Sequence, residues 1–154
     1  MITFAKKYKR ALIGSLLFSF VCFGFMLTHF TLCIDDETWI LASEPSALWI
    51  LQGRFAIWLF DLIFTCNGNF APFLWDFLAI IGWNISGMIF AYALLEEPKE
   101  RQVFFFCAYY SSLPFAVGEI MAFSMFNLQV SIAMTATAVS FVLSRRFLKQ
   151  RRKK

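Results

Sequence analysis

Between Ala11 and Cys33 the chain carries no Asp, Glu, Lys or Arg. A helix rises 1.5 Å per residue, so about 20 apolar residues cross the roughly 30 Å hydrocarbon core of a bilayer. No other feature constrains the fold as strongly. A chain of 154 residues is too small to wrap such a helix on every side and stay soluble, because small domains leave much of their surface in water. Further long apolar runs follow at 71–95, 103–123 and 128–144, the second of these interrupted by Pro114 and Glu119. Composition agrees: 16% of residues are charged, against about 25% in an average soluble domain. In lipid each backbone polar group has to be satisfied within its own segment or a closed barrel, so an all-α polytopic membrane fold is expected.

The charges that remain set the expected orientation. Lys6, Lys7, Lys9 and Arg10 precede the first run, and Arg145, Arg146, Lys149, Arg151, Arg152, Lys153 and Lys154 follow the last. Basic clusters flanking apolar runs mark the cytoplasmic side, and they exclude a nucleic-acid reading of the +4 net charge. Both termini on one side require an even number of crossings. Four spans (11–33, 71–95, 103–123 and 128–144) satisfy this within a single membrane domain over 1–154. An outer-face helix then covers about 46–66 and a basic cytoplasmic tail covers 145–154. The first run is longer than a cleavable signal core and ends without a small-residue cleavage site, so it reads as a retained anchor. Arg54 and Asp61, seven residues apart in 46–66, would share one polar stripe of that helix.

Few residues could do chemistry. Asp35, Asp36 and Glu37 stand together just past the first span. They read either as a solvated exit loop or as a general base at the water–membrane boundary, with room for a divalent cation on the Asp pair. Arg54 reads as a snorkelling anchor or, through its planar fork, as a phosphate ligand. Glu119 follows a Pro-broken helix and needs water or a partner at that depth. His29 is expected to face neighbouring helices, and Trp39, Trp49, Trp58, Trp75 and Trp83 to form an interfacial belt. Cys22, Cys33, Cys66 and Cys107 lack metal-type spacing, and Cys33 and Cys66 are placed to meet as a disulfide or to stay thiols. The sequence holds no P-loop, GxSxG, HExxH or CxxC. Any donor is therefore expected to be lipid-borne, with no firm cofactor.

The order of features carries a resemblance. "IDDETW" follows the first span, then "LQGRFAIWLFDLIF", then "FAPFLWDFLAII", then "SLPFAVGEIMAFSMFNLQVSIAMTATAVSFVL". Over roughly residues 1–145 this resembles the N-terminal part of the bacterial serotype-converting O-antigen glucosyltransferases, which are GT-C type membrane glycosyltransferases. The resemblance implies a multi-pass protein of the bacterial inner membrane. It would transfer glucose from a polyprenyl phosphate-linked donor to an O-antigen lipopolysaccharide acceptor on the periplasmic face. It implies Asp35 or Asp36 as the general base, with Arg54, Glu119 and Glu37 lining the substrate cavity. Enzymes of that type are much longer than this chain, so the expectation includes a truncated remnant or a member working with another membrane subunit. The competing expectation is a non-catalytic small subunit or a flippase for the lipid-linked sugar.

Overall fold

The computed structural model of the chain describes residues 1–29, 44–64, 71–113, 117–121 and 126–151. They form helices α1 (Ile2–Lys7), α2 (Lys9–Thr28), α3 (Ala47–Leu51), α4 (Phe55–Phe64), α5 (Pro72–Leu94), α6 (Glu100–Ser111), α7 (Val117–Met121) and α8 (Asn127–Arg151). Among the described residues α2, α5 and α8 are long and apolar enough to cross a membrane, and α4 is a shorter apolar helix. The protein is an all-α membrane protein.

Local chemistry sets several boundaries. Pro72 opens α5 at its first position, where the missing N–H costs nothing. The α6 start is closed by the Gln102 side chain, which accepts from the Lys99 backbone N–H at 2.8 Å. Ser46 caps α3 by accepting from the Leu48 N–H at 3.1 Å. The expected single helix over 46–66 is divided in two. Gly53 takes φ +73°, its N–H bonds the Ile50 carbonyl at 3.0 Å, and the Arg54 N–H bonds the Trp49 carbonyl at 2.6 Å. That pair of bonds is a Schellman ending, which needs a left-handed residue that glycine supplies without a Cβ penalty. The 103–123 run is likewise divided into α6 and α7, and α8 continues helical through the basic tail to Arg151.

Helix α5 is the centre. Half of its apolar window is buried inside the protein, against 22% for α2 and 17% for α8. Its contacts fix the direction of each neighbour. Phe4 meets Tyr92 and Phe20 meets Phe77, so α2 runs antiparallel to α5. Tyr8 donates to the Pro98 carbonyl at 2.6 Å and Ser19 meets Ser111 at 2.7 Å, so α6 runs parallel to α2. Asn127 meets Asp76 and Arg145 meets Glu96, so α8 runs parallel to α5. Lys99 and Asn127 therefore lie at opposite ends of the bundle, and the chain crosses it a fourth time between them. The 12 residues of α6 span about 18 Å of that distance at helical rise. Both described basic regions, around Lys7 and around Arg145, come to one end.

Without a hydrophobic drive between helices in lipid, small residues and shared hydrogen bonds hold the bundle. A buried polar seam joins three helices. Asn84 donates to Ser19 at 3.0 Å and accepts from Ser15 at 3.3 Å, while Ser19 and Ser111 share a hydroxyl hydrogen bond. Ser86 donates to the Tyr110 hydroxyl at 3.1 Å. Gly82 lets α8 approach so closely that an added Cβ would stand 2.5 Å from the Ser131 hydroxyl. Among the described residues the α5–α8 pair is the most extensive.

Candidate functional site

Opposite the basic end, the N-terminal turns of α5 and α8 and the short helices α3, α4 and α7 converge. Two carboxyl groups are buried there: Asp61, 3% exposed at the end of α4, and Asp76, 2% exposed one turn into α5. Each is met by an amide from α8. Asn127, fully buried, donates to Asp76 Oδ1 at 2.5 Å and to the Met121 carbonyl at 3.3 Å. Gln129 donates to Asp61 Oδ1 at 3.4 Å. Asn127 spends both N–H groups on protein and Gln129 gives one to Asp61, while their oxygens, Asn127 Oδ1 and Gln129 Oε1, have no hydrogen-bond partner among the described residues. A buried acceptor left in that state costs about 1–3 kcal/mol.

Aromatic contacts tie the short helices to this pair. Trp49 of α3 sets its ring edge-on to Phe126, the residue before Asn127, at 5.3 Å. Phe60 and Phe64 of α4 meet Trp75, the residue before Asp76, at 5.8 and 6.3 Å. Arg54 stands in the place after the Schellman glycine that usually packs an apolar side chain against the helix. Here its guanidinium covers the Trp49 ring, 5.7 Å from the centroid. The cation is thus held by an aromatic face while its N–H fork stays exposed.

The structure treats the sequence-derived candidates unevenly. Arg54 is brought to this end by Trp49, whose ring meets Phe126, the residue before Asn127. The backbone of Glu119 lies in α7, whose last carbonyl holds Asn127. Asp35, Asp36 and Glu37 lie outside the described residues, as do Cys33 and Cys66. The expected stripe joining Arg54 to Asp61 is replaced by separate environments: the break at Gly53 puts Arg54 ahead of α4, on Trp49, while Asp61 turns inward to Gln129. His29 stacks on Phe25 of its own helix at 4.4 Å, with Nδ1 2.9 Å from the Thr28 hydroxyl. Of the tryptophans expected in a belt, Trp49 and Trp83 are buried within the protein and Trp39 lies outside the described residues. Asp76 and Gln129 were not singled out by sequence reasoning. The signal for Asp76 was present, since a lone carboxyl inside an apolar span needs a partner. Among the described residues no three His, Cys, Asp or Glu side chains gather as a metal site.

A helical bundle with span-length apolar helices, and with buried carboxyl–amide pairs and an aromatic-held arginine at one end, defines a membrane protein with a polar cluster at that end. Residues 24–152 match the family described as Glucosyl transferase GtrII. The match covers most of the chain, and the protein belongs to that family. No curated protein and no solved structure matches the chain.

Proposed function

We propose that the protein transfers a glucosyl group from a polyprenyl phosphate-linked donor to an O-antigen lipopolysaccharide acceptor on the periplasmic face of the inner membrane. In this reading the end carrying Arg54 and Asp76 faces the periplasm and the basic end faces the cytoplasm. Membership of the glucosyltransferase family supports the reaction class. The observation that carries the site is Arg54: exposed, and held on the face of Trp49, whose ring meets the residue before Asn127. A planar guanidinium in that position suits the bidentate grip of a phosphate.

Asp35 or Asp36 acts as the general base. The carboxylate takes the proton of an acceptor hydroxyl as that oxygen bonds to the glucosyl C1. The bond from C1 to the phosphate oxygen breaks, and polyprenyl phosphate leaves, its charge met by Arg54. Glu37 and Glu119 line the same cavity. A positioned base contributes about 10²–10⁴ in rate, so Asp35→Asn/Asp36→Asn is expected to lose transfer by at least about a hundredfold while membrane levels hold. The assay is glucose transfer from labelled polyprenyl phosphate glucose to lipopolysaccharide, in membranes containing this chain alone, with and without a chelator. Undiminished transfer by the double variant would overturn the assignment of the base. Movement of labelled lipid across the bilayer without transfer would replace the enzyme reading with a flippase. Activity that appears only with a second membrane protein would make the chain a subunit.

A further inference from the structure

We infer that the basic end of the bundle holds a binding site for the phosphate headgroup of a membrane phospholipid, in the cleft between the end of α5 and the last turns of α8. The inference is independent of the glucosyl-transfer reading and concerns the opposite end of the molecule. The cleft has a volume of about 640 Å³ and is lined by Tyr92, Ala93, Leu95, Glu96, Glu97, Val142, Arg145, Arg146 and Lys149. That volume lies within the range of small-ligand sites, about 300–1,000 Å³.

The lining divides into an apolar wall, three cations and the two carboxylates Glu96 and Glu97. Tyr92, Ala93, Leu95 and Val142 make an apolar wall. Beside it, Leu94, Phe141 and Leu143 are exposed, continuing the apolar flank of the two spans. Arg145, Arg146 and Lys149 supply cations within about one turn of α8, just past the last apolar residues of the span. Arg145 is engaged already: its guanidinium meets Glu96 at 3.0 Å, and that contact pins the α5–α6 connection against α8. The connection is tight, with Glu97 at φ +45°, a left-handed conformation rare outside glycine. Arg146 and Lys149 are exposed, and no ion pair involving either is found among the described residues. Two free cations above an apolar wall, at the level where the span ends, match a molecule that is anionic at one end and apolar along its length. A membrane phospholipid is such a molecule. Free phosphate would use the cations and leave the wall without a role.

The test uses the whole chain in nanodiscs of phosphatidylcholine doped with photoactivatable phosphatidylglycerol. Crosslinks are expected in peptides containing 92–97 and 142–149. Each basic residue near a lipid surface contributes roughly fivefold to anionic lipid binding, so Arg146→Ala/Lys149→Ala should weaken capture by about thirtyfold. Lys6→Ala/Lys7→Ala removes two cations from the same end of the bundle that do not line the cleft, and should leave the crosslinks at 92–97 and 142–149 within about twofold of wild type, because distant exposed charges are screened at physiological ionic strength. Equal losses in both pairs would mean a diffuse surface potential and no site. Competition separates the sources of phosphate: inorganic phosphate should displace the lipid poorly. Displacement by phosphate at concentrations matching the lipid would overturn the phospholipid assignment.

Discussion

At the end of the bundle that holds Asp61 and Asp76, the carboxyl groups are 3% and 2% exposed and are met by neutral amides. At the end that holds Glu96 and Arg145, the carboxylate side chain is 83% exposed and is met by a guanidinium. Amides can satisfy a buried carboxyl without bringing a second charge out of water, which would add its own desolvation cost. An exposed pair needs no such economy and gains little from its contact. The first arrangement fixes geometry inside the bundle; the second lies on an exposed surface.

The comparison is tested most severely at Asp76. Replacing it with Ala strands the Asn127 amide, which loses its 2.5 Å acceptor and keeps only the longer bond to Met121. The expected loss is about 2–3 kcal/mol of stability, read as a shifted midpoint in a denaturing-detergent titration. Glu96→Ala in the same titration should move it by about 0.5 kcal/mol or less. Equal shifts at the two ends would abolish the distinction.

Between the ends, Gly82 sets how closely α5 and α8 can pack. In Gly82→Ala the new methyl would collide with Ser131, a buried side chain that donates to the Leu128 carbonyl. Overpacking of this kind costs about 1–3 kcal/mol, and Ser131→Gly in the same chain should recover most of it. Failure of that rescue would mean that the helices do not meet at this point. Gly53→Ala should be milder, about 1 kcal/mol from the left-handed backbone. It should act locally, raising hydrogen exchange in α3 and α4 while leaving α5 and α8 protected. Exchange that rises throughout would show that the short helices are integral to the bundle.

How much of this was legible in the sequence depends on which physics decided each element. The long spans were readable because an apolar run of that length has one stable solvent, and α2, α5 and α8 fall where the runs lie. Arg54 was readable as a candidate because a guanidinium at a membrane boundary needs an explanation. What sequence periodicity hid was the Schellman ending. Gly53 lies within a continuous apolar pattern, and a seven-residue spacing looks the same whether or not the helix is broken between its ends. The pairing of Asp76 with Asn127 was hidden for another reason. It joins residues 51 positions apart, and the partner is chosen by the parallel alignment of α5 and α8, which no local signal encodes.

The smallest expected effect belongs to the exposed pair, and it is also the one most easily mistaken. Arg145 touches Glu96 and also lines the cleft, so Arg145→Ala alone mixes the loss of an ion pair with the loss of a headgroup contact. A double-mutant cycle with Glu96→Gln separates them, because the coupling term keeps only what the two residues do to each other. That coupling should be about 0.2–1 kcal/mol at low salt. It should fade as salt is raised and the Debye length falls from about 30 Å at 0.01 M to about 8 Å at physiological strength. The same salt series applied to Asp76 and Asn127 should leave their coupling nearly unchanged, since a buried carboxyl–amide contact is screened little. A coupling at Glu96–Arg145 that resists salt would place that pair, too, in a dry environment, and the two ends would then follow the same rule.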